Sequence, residues 1–220
     1  MAAERGARVA AVARRADRLT ELDAVPIPGD VSDDAGARRV VEGAVDALGG
    51  LDGLVYAVGM SMLRPLAEAS MDDWRQVFDA NVFGAAVVTA TAAPHLVESG
   101  GRAVLLSSKA VRDPFPDLTL YTTSKIALDG LIGCLPREFP GLLVSRVVVG
   151  NTAETEFAMS WDPDALDAAV ARWAELGVLG TGGLMHPDQV AAAVLFALAG
   201  PAHVDDLAVI DSADDDGSPP

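Results

Sequence analysis

The feature that most constrains this chain is a repeated change of period. Short apolar, β-rich runs at 7–13, 53–58, 102–107, 144–149 and 207–210 alternate with helical patterns at 33–48, 72–96, 120–139, 162–176 and 187–199. Strands that are apolar throughout must be covered on both faces, and strands separated by helices pair in parallel. The pattern predicts an α/β fold with a doubly wound parallel sheet. Helix starts are visible at Ser32-Asp33-Asp34, at Ser70-Met71-Asp72-Asp73 and at Pro187-Asp188, where capping oxygens, early acids or a first-turn proline suit a helix N-terminus. With 220 residues, half of them hydrophobic, one domain over 1–210 is expected, followed by an acidic, turn-rich and disordered tail at 211–220.

Charge and cysteine use narrow the function classes. Sixteen basic against 32 acidic residues give a net charge of -16, which repels a phosphate backbone, so nucleic acid is not an expected partner. A single cysteine, Cys134, excludes an intrachain disulfide and a cysteine metal cluster. His95, His186 and His203 lack paired-ligand spacing, and no metal is expected. No apolar run approaches a membrane span of roughly 18 to 20 residues, and Met1-Ala2-Ala3-Glu4-Arg5-Gly6 lacks a signal peptide's apolar core. A soluble, cytoplasmic protein without a membrane partner is the expectation.

Three features carry chemistry. Tyr121-Thr122-Thr123-Ser124-Lys125 puts a phenol and an ammonium four residues apart, on one face of a helix. A fixed cation beside a phenol favours the phenolate and brings it toward acid/base work near neutrality. Thirteen residues before Tyr121, Ser108 stands at the carboxyl end of an apolar run, where open α/β sheets handle ligands. Asn81 and Gly84 interrupt a long helical pattern in which neither has good propensity, a break that makes room for a water. Taken singly, each also reads as surface helix, strand-end turn or helix irregularity.

In this order and spacing, Asn81, Ser108, Tyr121 and Lys125 resemble the catalytic set of the short-chain dehydrogenase/reductase family, and the resemblance runs from Gly6 to about Ile210. It implies a Rossmann-like fold and an oxidoreductase interconverting a secondary alcohol and a ketone. Tyr121 would be the acid/base and Ser108 would orient the reacting oxygen. Lys125 would lower the Tyr121 pKa and bind the nicotinamide ribose, while Asn81 would hold a relay water. For the cofactor, Gly29-Asp30-Val31 is similar to the adenine-contacting turn. Gly59 closes the strand end next to it in the family pattern, and Thr152 and Thr155 stand where nicotinamide or diphosphate would be met. Arg14 and Arg15 follow the first apolar run where NAD-specific relatives carry an acid, a pattern that resembles NADP(H) preference. The plainer alternative for them is a solvated arginine pair.

The sequence also departs from the family. Only five residues precede Gly6, so the first βα unit with its Thr-Gly-x-x-x-Gly-x-Gly turn, roughly 25 residues, is not in this sequence. That strand would sit centrally, between the 7–13 and 53–58 runs, and its turn would cradle the pyrophosphate. An N-terminally truncated sheet is therefore expected, with unpaired backbone on both sides of a gap. The family's Asn-Asn-Ala-Gly reads Tyr56-Ala57-Val58-Gly59 here, losing polar braces of the sheet centre. Two readings follow: an NADP(H)-dependent reductase, or a protein that has lost dinucleotide binding and works as a non-redox enzyme or a silent binding partner. Residues 157–185, rich in Phe157, Met159, Trp161, Trp173 and Met185, fit a lid over an apolar carbonyl or alcohol substrate and equally fit oligomer packing. The resemblance implies a homodimer or homotetramer packed through the 72–96 and 120–139 helices.

Overall fold

The computed structural model describes residues 1–153, 155–179 and 183–210. The expected tail at 211–220 and the middle of the glycine-rich 177–183 stretch lie outside the described residues.

The chain runs β1 (Ala10–Ala13), α1 (Ala16–Leu19), β2 (Val25–Pro28), α2 (Asp34–Leu48) and β3 (Gly53–Tyr56). It continues through α3 (Met71–Phe78), a π turn (Asp79–Phe83), α4 (Gly84–Ser99), β4 (Arg102–Ser108) and α5 (Thr119–Glu138). The last part holds β5 (Leu143–Val149), α6 (Pro163–Glu175), α7 (Pro187–Ala199) and β6 (Asp206–Val209). The expected caps form: Asp33 accepts from Gly36 N, and Ser70 and Asp73 make a reciprocal capping box.

Every strand pairing is parallel, as predicted. Strand alternation sorts the apolar residues into two cores. Ala103, Leu105 and Val144 point into one, with α2, α4 and α5, while Val104 and Val147 point into the other, against α7. Strand β2 is absent from the periodicity reading because Pro26 and Pro28 interrupt its apolar residues. Proline cannot serve a two-sided ladder, and β2 accordingly pairs with β1 alone.

The sheet is in two pieces, β1-β2 and β3-β4-β5-β6. Among the described residues no strand lies between β1 and β3, so the inner edge of each is unpaired, as the truncated pattern predicts. Helices hold the pieces together: α2 packs on β1 and β2, α4 packs on β3 and β4, and α2 and α4 pack on each other.

One expectation needs correcting. The continuous helical stretch Met71–Ser99 is long and apolar enough, at mean hydropathy 1.3 over its best window, to cross a membrane by composition. Its apolar side is core, since Ala85, Val88, Ala92, Ala93 and Leu96 are buried with α2 and the sheet. The break foreseen at Asn81 and Gly84 is the π turn, where Gly84 N–H reaches back to Asp79 O. The altered register leaves Ala80 O free for another donor, and the Tyr56 hydroxyl donates to it at 2.6 Å. Tyr56 thus supplies a brace where the family's asparagines were expected and missed.

Gly84 is required at this joint because a Cβ there would lie 2.5 Å from Val31 O and 2.7 Å from the Tyr56 hydroxyl. Backbone cannot yield as a flexible side chain does. We expect Gly84→Ala to destabilise the fold by at least about 2 kcal/mol, measured by urea denaturation, through overpacking of this joint. An unchanged midpoint would show that the joint is loose.

Candidate active site

Ser108 is the last residue of β4, and Tyr121 and Lys125 stand one turn apart early in α5. The 20-residue α5 has no side-chain cap, and its buried face, which includes Leu120, Tyr121, Ser124, Lys125 and Leu128, follows helical spacing. This packing delivers both polar groups to the carboxyl end of the sheet.

Tyr121 is only 8% exposed. Burial pushes its phenol up to about 12, while the hydrogen bond from the neighbouring Ser108 hydroxyl pulls it down. The Ser108 oxygen also accepts from Ala110 N at 3.2 Å, which fixes its rotamer. Lys125 is 3% exposed, and its Nζ donates to Leu106 O at 2.8 Å. Burial drops its pKa to about 8, partly offset by Asp129 one turn further along α5. The ammonium lies 5.9 Å from the Tyr121 ring centroid. In the unliganded protein, then, burial outweighs the lowering of the phenol that the resemblance assigns to Lys125, and Tyr121 carries its proton at neutral pH.

Asn81 is fully buried in the π turn. Its Oδ1 accepts from Met60 N at 2.7 Å, and its Nδ2 donates to Met60 O and to Ser124 Oγ, both at 2.8 Å. Ser124 in turn donates to Tyr121 O at 2.7 Å. The Asn81 side chain therefore spends its donors on protein groups, and its direct effect is to fasten the strand-end loop at Met60 to the helix that bears Tyr121. Residue spacing does not point to Ser124 as the intermediary, because a serine within a helix carries no spacing signature.

The cofactor candidates fall into two groups. Near the catalytic set, Gly59 leaves its Cα facing Lys125, whose Nζ would be 3.9 Å from a Cβ placed there. Thr152 pairs with Met185 in a short parallel bridge and donates to Gly150 O at 3.2 Å. Thr155 is exposed. On the β1-β2 side, Arg14, with its side chain 79% exposed, approaches Asp30 at 4.0 Å, and Arg15 is exposed at the start of α1. Asp30 Oδ1 accepts from Ser32 N at 2.9 Å and from Ser32 Oγ at 2.7 Å, which holds its carboxyl below the ordinary range. Val31 is buried, its carbonyl against Gly84.

These groups fit the two ends of a dinucleotide: exposed guanidinium and carboxylate for the adenosine end, and a buried ammonium beside an uncovered glycine for the nicotinamide ribose. Between them run the open edges of β1 and β3, and no strand-to-helix turn among the described residues carries a glycine triplet.

A parallel α/β sheet with a buried Ser-Tyr-Lys cluster at its carboxyl end defines a Rossmann-like protein with a candidate active site there. Comparison with known proteins gives the family. The sequence matches the short chain dehydrogenase family over residues 1–166, and the chain belongs to that family. It is 32% identical over 214 residues to the glycine betaine reductase of Emericella nidulans, covering 92% of this chain and 16% of that protein. It is 34% identical over 152 residues to 11-beta-hydroxysteroid dehydrogenase A of Sesamum indicum, covering 68% of this chain and 44% of that protein. The chain thus spans well under two thirds of the length of both relatives. Among solved structures, a dehydrogenase/reductase from Sinorhizobium meliloti superposes with a TM-score of 0.77 at 28% identity, covering 94% of this chain and 84% of that one.

The lysine makes a prediction about stability. Its folded pKa of about 8 lies below the ordinary lysine value near 10.4, so between these values the folded protein binds fewer protons than the unfolded chain. Stability therefore rises with pH in that window. Against Lys125→Met, which has nothing to titrate there, wild type should gain up to roughly 1 kcal/mol per pH unit between pH 8 and 10, read from paired urea curves. Parallel pH profiles would show that Lys125 is not desolvated.

Proposed function

We propose that this domain is an NADP(H)-dependent oxidoreductase interconverting a secondary alcohol and a ketone. The observation that carries the reading is the meeting of a protonated, buried phenol, the Ser108 hydroxyl bonded to it and a buried ammonium at one strand end. In the reductive direction a carbonyl oxygen would sit between the Ser108 and Tyr121 hydroxyls, the only arrangement in which both donors serve one acceptor. Tyr121 gives its proton to that oxygen as the adjacent carbon gains a hydride. Lys125 and Gly59 would hold the nicotinamide end of the cofactor, which would supply that hydride when bound. The phenolate left on Tyr121 is stabilised by Ser108 and by the Lys125 ammonium, which is charged below about pH 8. Asn81 holds the Met60 loop and α5 in register through Ser124. Arg14, with Arg15 beside it, favours a 2'-phosphate on the adenosine ribose.

The relatives' activities agree in class, since both are named for reduction or dehydrogenation. We assign a small apolar carbonyl or alcohol as substrate. We assign assembly to the outer faces of α4 and α5, where Val97 and Ile126 are exposed, as is Phe83 of the π turn. A second reading, a fold that has given up dinucleotide binding, is favoured by the unpaired edges of β1 and β3.

Titration of the 220-residue chain with NADPH, followed by nucleotide fluorescence, separates the two. Micromolar binding by both wild type and Tyr121→Phe is expected, with reduction of a ketone panel lowered about a thousandfold or more in the variant, in the upper range for loss of an acid/base group. A folded chain that binds no NADPH overturns the reductase reading in favour of the second.

A further inference from the structure

The catalytic tyrosine is covered by a chain of aromatic rings that the reaction itself does not require. Tyr121 meets Phe157 edge-on at 4.9 Å, Phe157 meets Trp161 at 5.3 Å, Trp161 meets Trp173 at 6.4 Å, and Trp173 meets Phe115 at 5.2 Å. Three of these five rings, Phe157, Trp161 and Trp173, follow β5 or belong to α6, so most of the cover is built from a different part of the sequence than the catalytic groups.

What fastens this cover is polar and almost wholly buried. Ser61, 5% exposed in the loop after β3, donates its hydroxyl to Phe157 O at 2.7 Å and accepts from Trp161 Nε1 at 3.2 Å. One hydroxyl therefore satisfies the backbone of the ring on Tyr121 and the indole of the next ring. The far side is pinned independently: Trp173 Nε1 donates to Pro116 O at 2.9 Å, and Arg172 pairs with Asp117 at 3.3 Å. Asp117 adopts a left-handed φ of 66°, unusual for a residue with a side chain, and its carbonyl accepts from Arg64 N at 2.7 Å. The rim is thus anchored on α6 and at 115–118, while the 157–161 segment depends on Ser61.

We infer that Ser61 is a specificity-determining residue that holds Phe157 and Trp161 as an aromatic wall over Tyr121, so that the site selects flat aryl ketones over aliphatic ones. The inference rests on the Tyr121 site of the proposed reductase and deepens it by naming the substrate class. For a substrate to reach the Tyr121 hydroxyl, the Phe157 ring must give up its edge contact. A flat aromatic body regains ring-on-ring contacts with Phe157 and Trp161, whereas an aliphatic chain of equal area regains burial alone. The preference depends on the wall being fixed, because a ring free to swing away loses its orientation at no cost to either ligand.

The test reads binding without nucleotide, so that its failure and that of the reductase reading are separable. In a Trp74→Phe background, tryptophan fluorescence reports 2-acetylnaphthalene and 2-decanone binding to wild type, Ser61→Ala and Ser61→Thr. Wild type should prefer the aryl ketone. In Ser61→Ala that preference should fall about tenfold and acrylamide quenching of the tryptophans should rise at least twofold, with Ser61→Thr restoring both. Phe157→Leu, which keeps the backbone carbonyl for Ser61, should lose the preference without added quenching, and it serves if Ser61→Ala does not fold. An unchanged preference in Ser61→Ala or in Phe157→Leu overturns the inference. Serine-dependent selectivity in a chain that never binds NADPH overturns the reductase reading and leaves this one standing.

Discussion

A fully buried amide must find partners for all its polar atoms, and the way Asn81 does so sets the geometry of the site. It accepts from Met60 N, donates to Met60 O, and donates to Ser124, whose hydroxyl caps the carbonyl of Tyr121. Three segments distant in sequence are tied through one side chain: the loop leaving β3, the α3–α4 helical pair and α5. The π turn is what allows this, because an ordinary α-helical register would rotate residue 81 relative to α5. The same turn frees Ala80 O for Tyr56. Asn81 therefore positions Tyr121 and the neighbouring loop relative to each other.

Much of the architecture was legible because it rests on local periodicity. Apolar runs marked five of the strands, and capping residues marked the starts of α2, α3 and α7. What periodicity could not show was β2, whose prolines hide a strand stabilised by a single neighbour. It also overlooked the membrane-like hydropathy of Met71–Ser99, which reflects a helix buried along α2 and the sheet. Within the site, the Ser108, Tyr121 and Lys125 meeting was readable from their order and spacing taken with the family resemblance they carry. Ser61, Ser124 and the Tyr56 hydroxyl were not, because each acts across contacts separated by long stretches of sequence, or within one helix where serine has no pattern.

Electrostatics at the centre is governed by desolvation before any ligand arrives. Burial moves both titrating groups toward their neutral forms, the phenol up to about 12 and the ammonium down to about 8. The two shifts differ in consequence. A raised phenol is a better-retained proton at neutral pH, suited to donation, while a lowered lysine puts the loss of its charge close to the working range. Asp129 opposes that loss and is itself held by Arg146 at 2.9 Å, which also pairs with Asp206 at the far edge of the sheet. The charge on Lys125 is thus coupled through β5 to β6, far from the substrate face.

The divided sheet separates the two ends of the implied cofactor site onto different structural pieces. Asp30, Val31 and the arginine pair belong to β1-β2, and Ser108, Tyr121, Lys125 and Gly59 belong to the β3-β4-β5-β6 piece and its helices. Backbone ladders do not span the two, so their separation is set by side-by-side packing of α2 and α4 and by the close approach of Val31 O, Gly84 and the Tyr56 hydroxyl. Alternation places Val55 on the face shared by Val104 and Val147, yet it remains 40% exposed while those two are buried. The unpaired backbone and bare apolar surface lie together along this seam. The close fit at Gly84 therefore helps set the spacing between the two pieces as well as the stability of the fold.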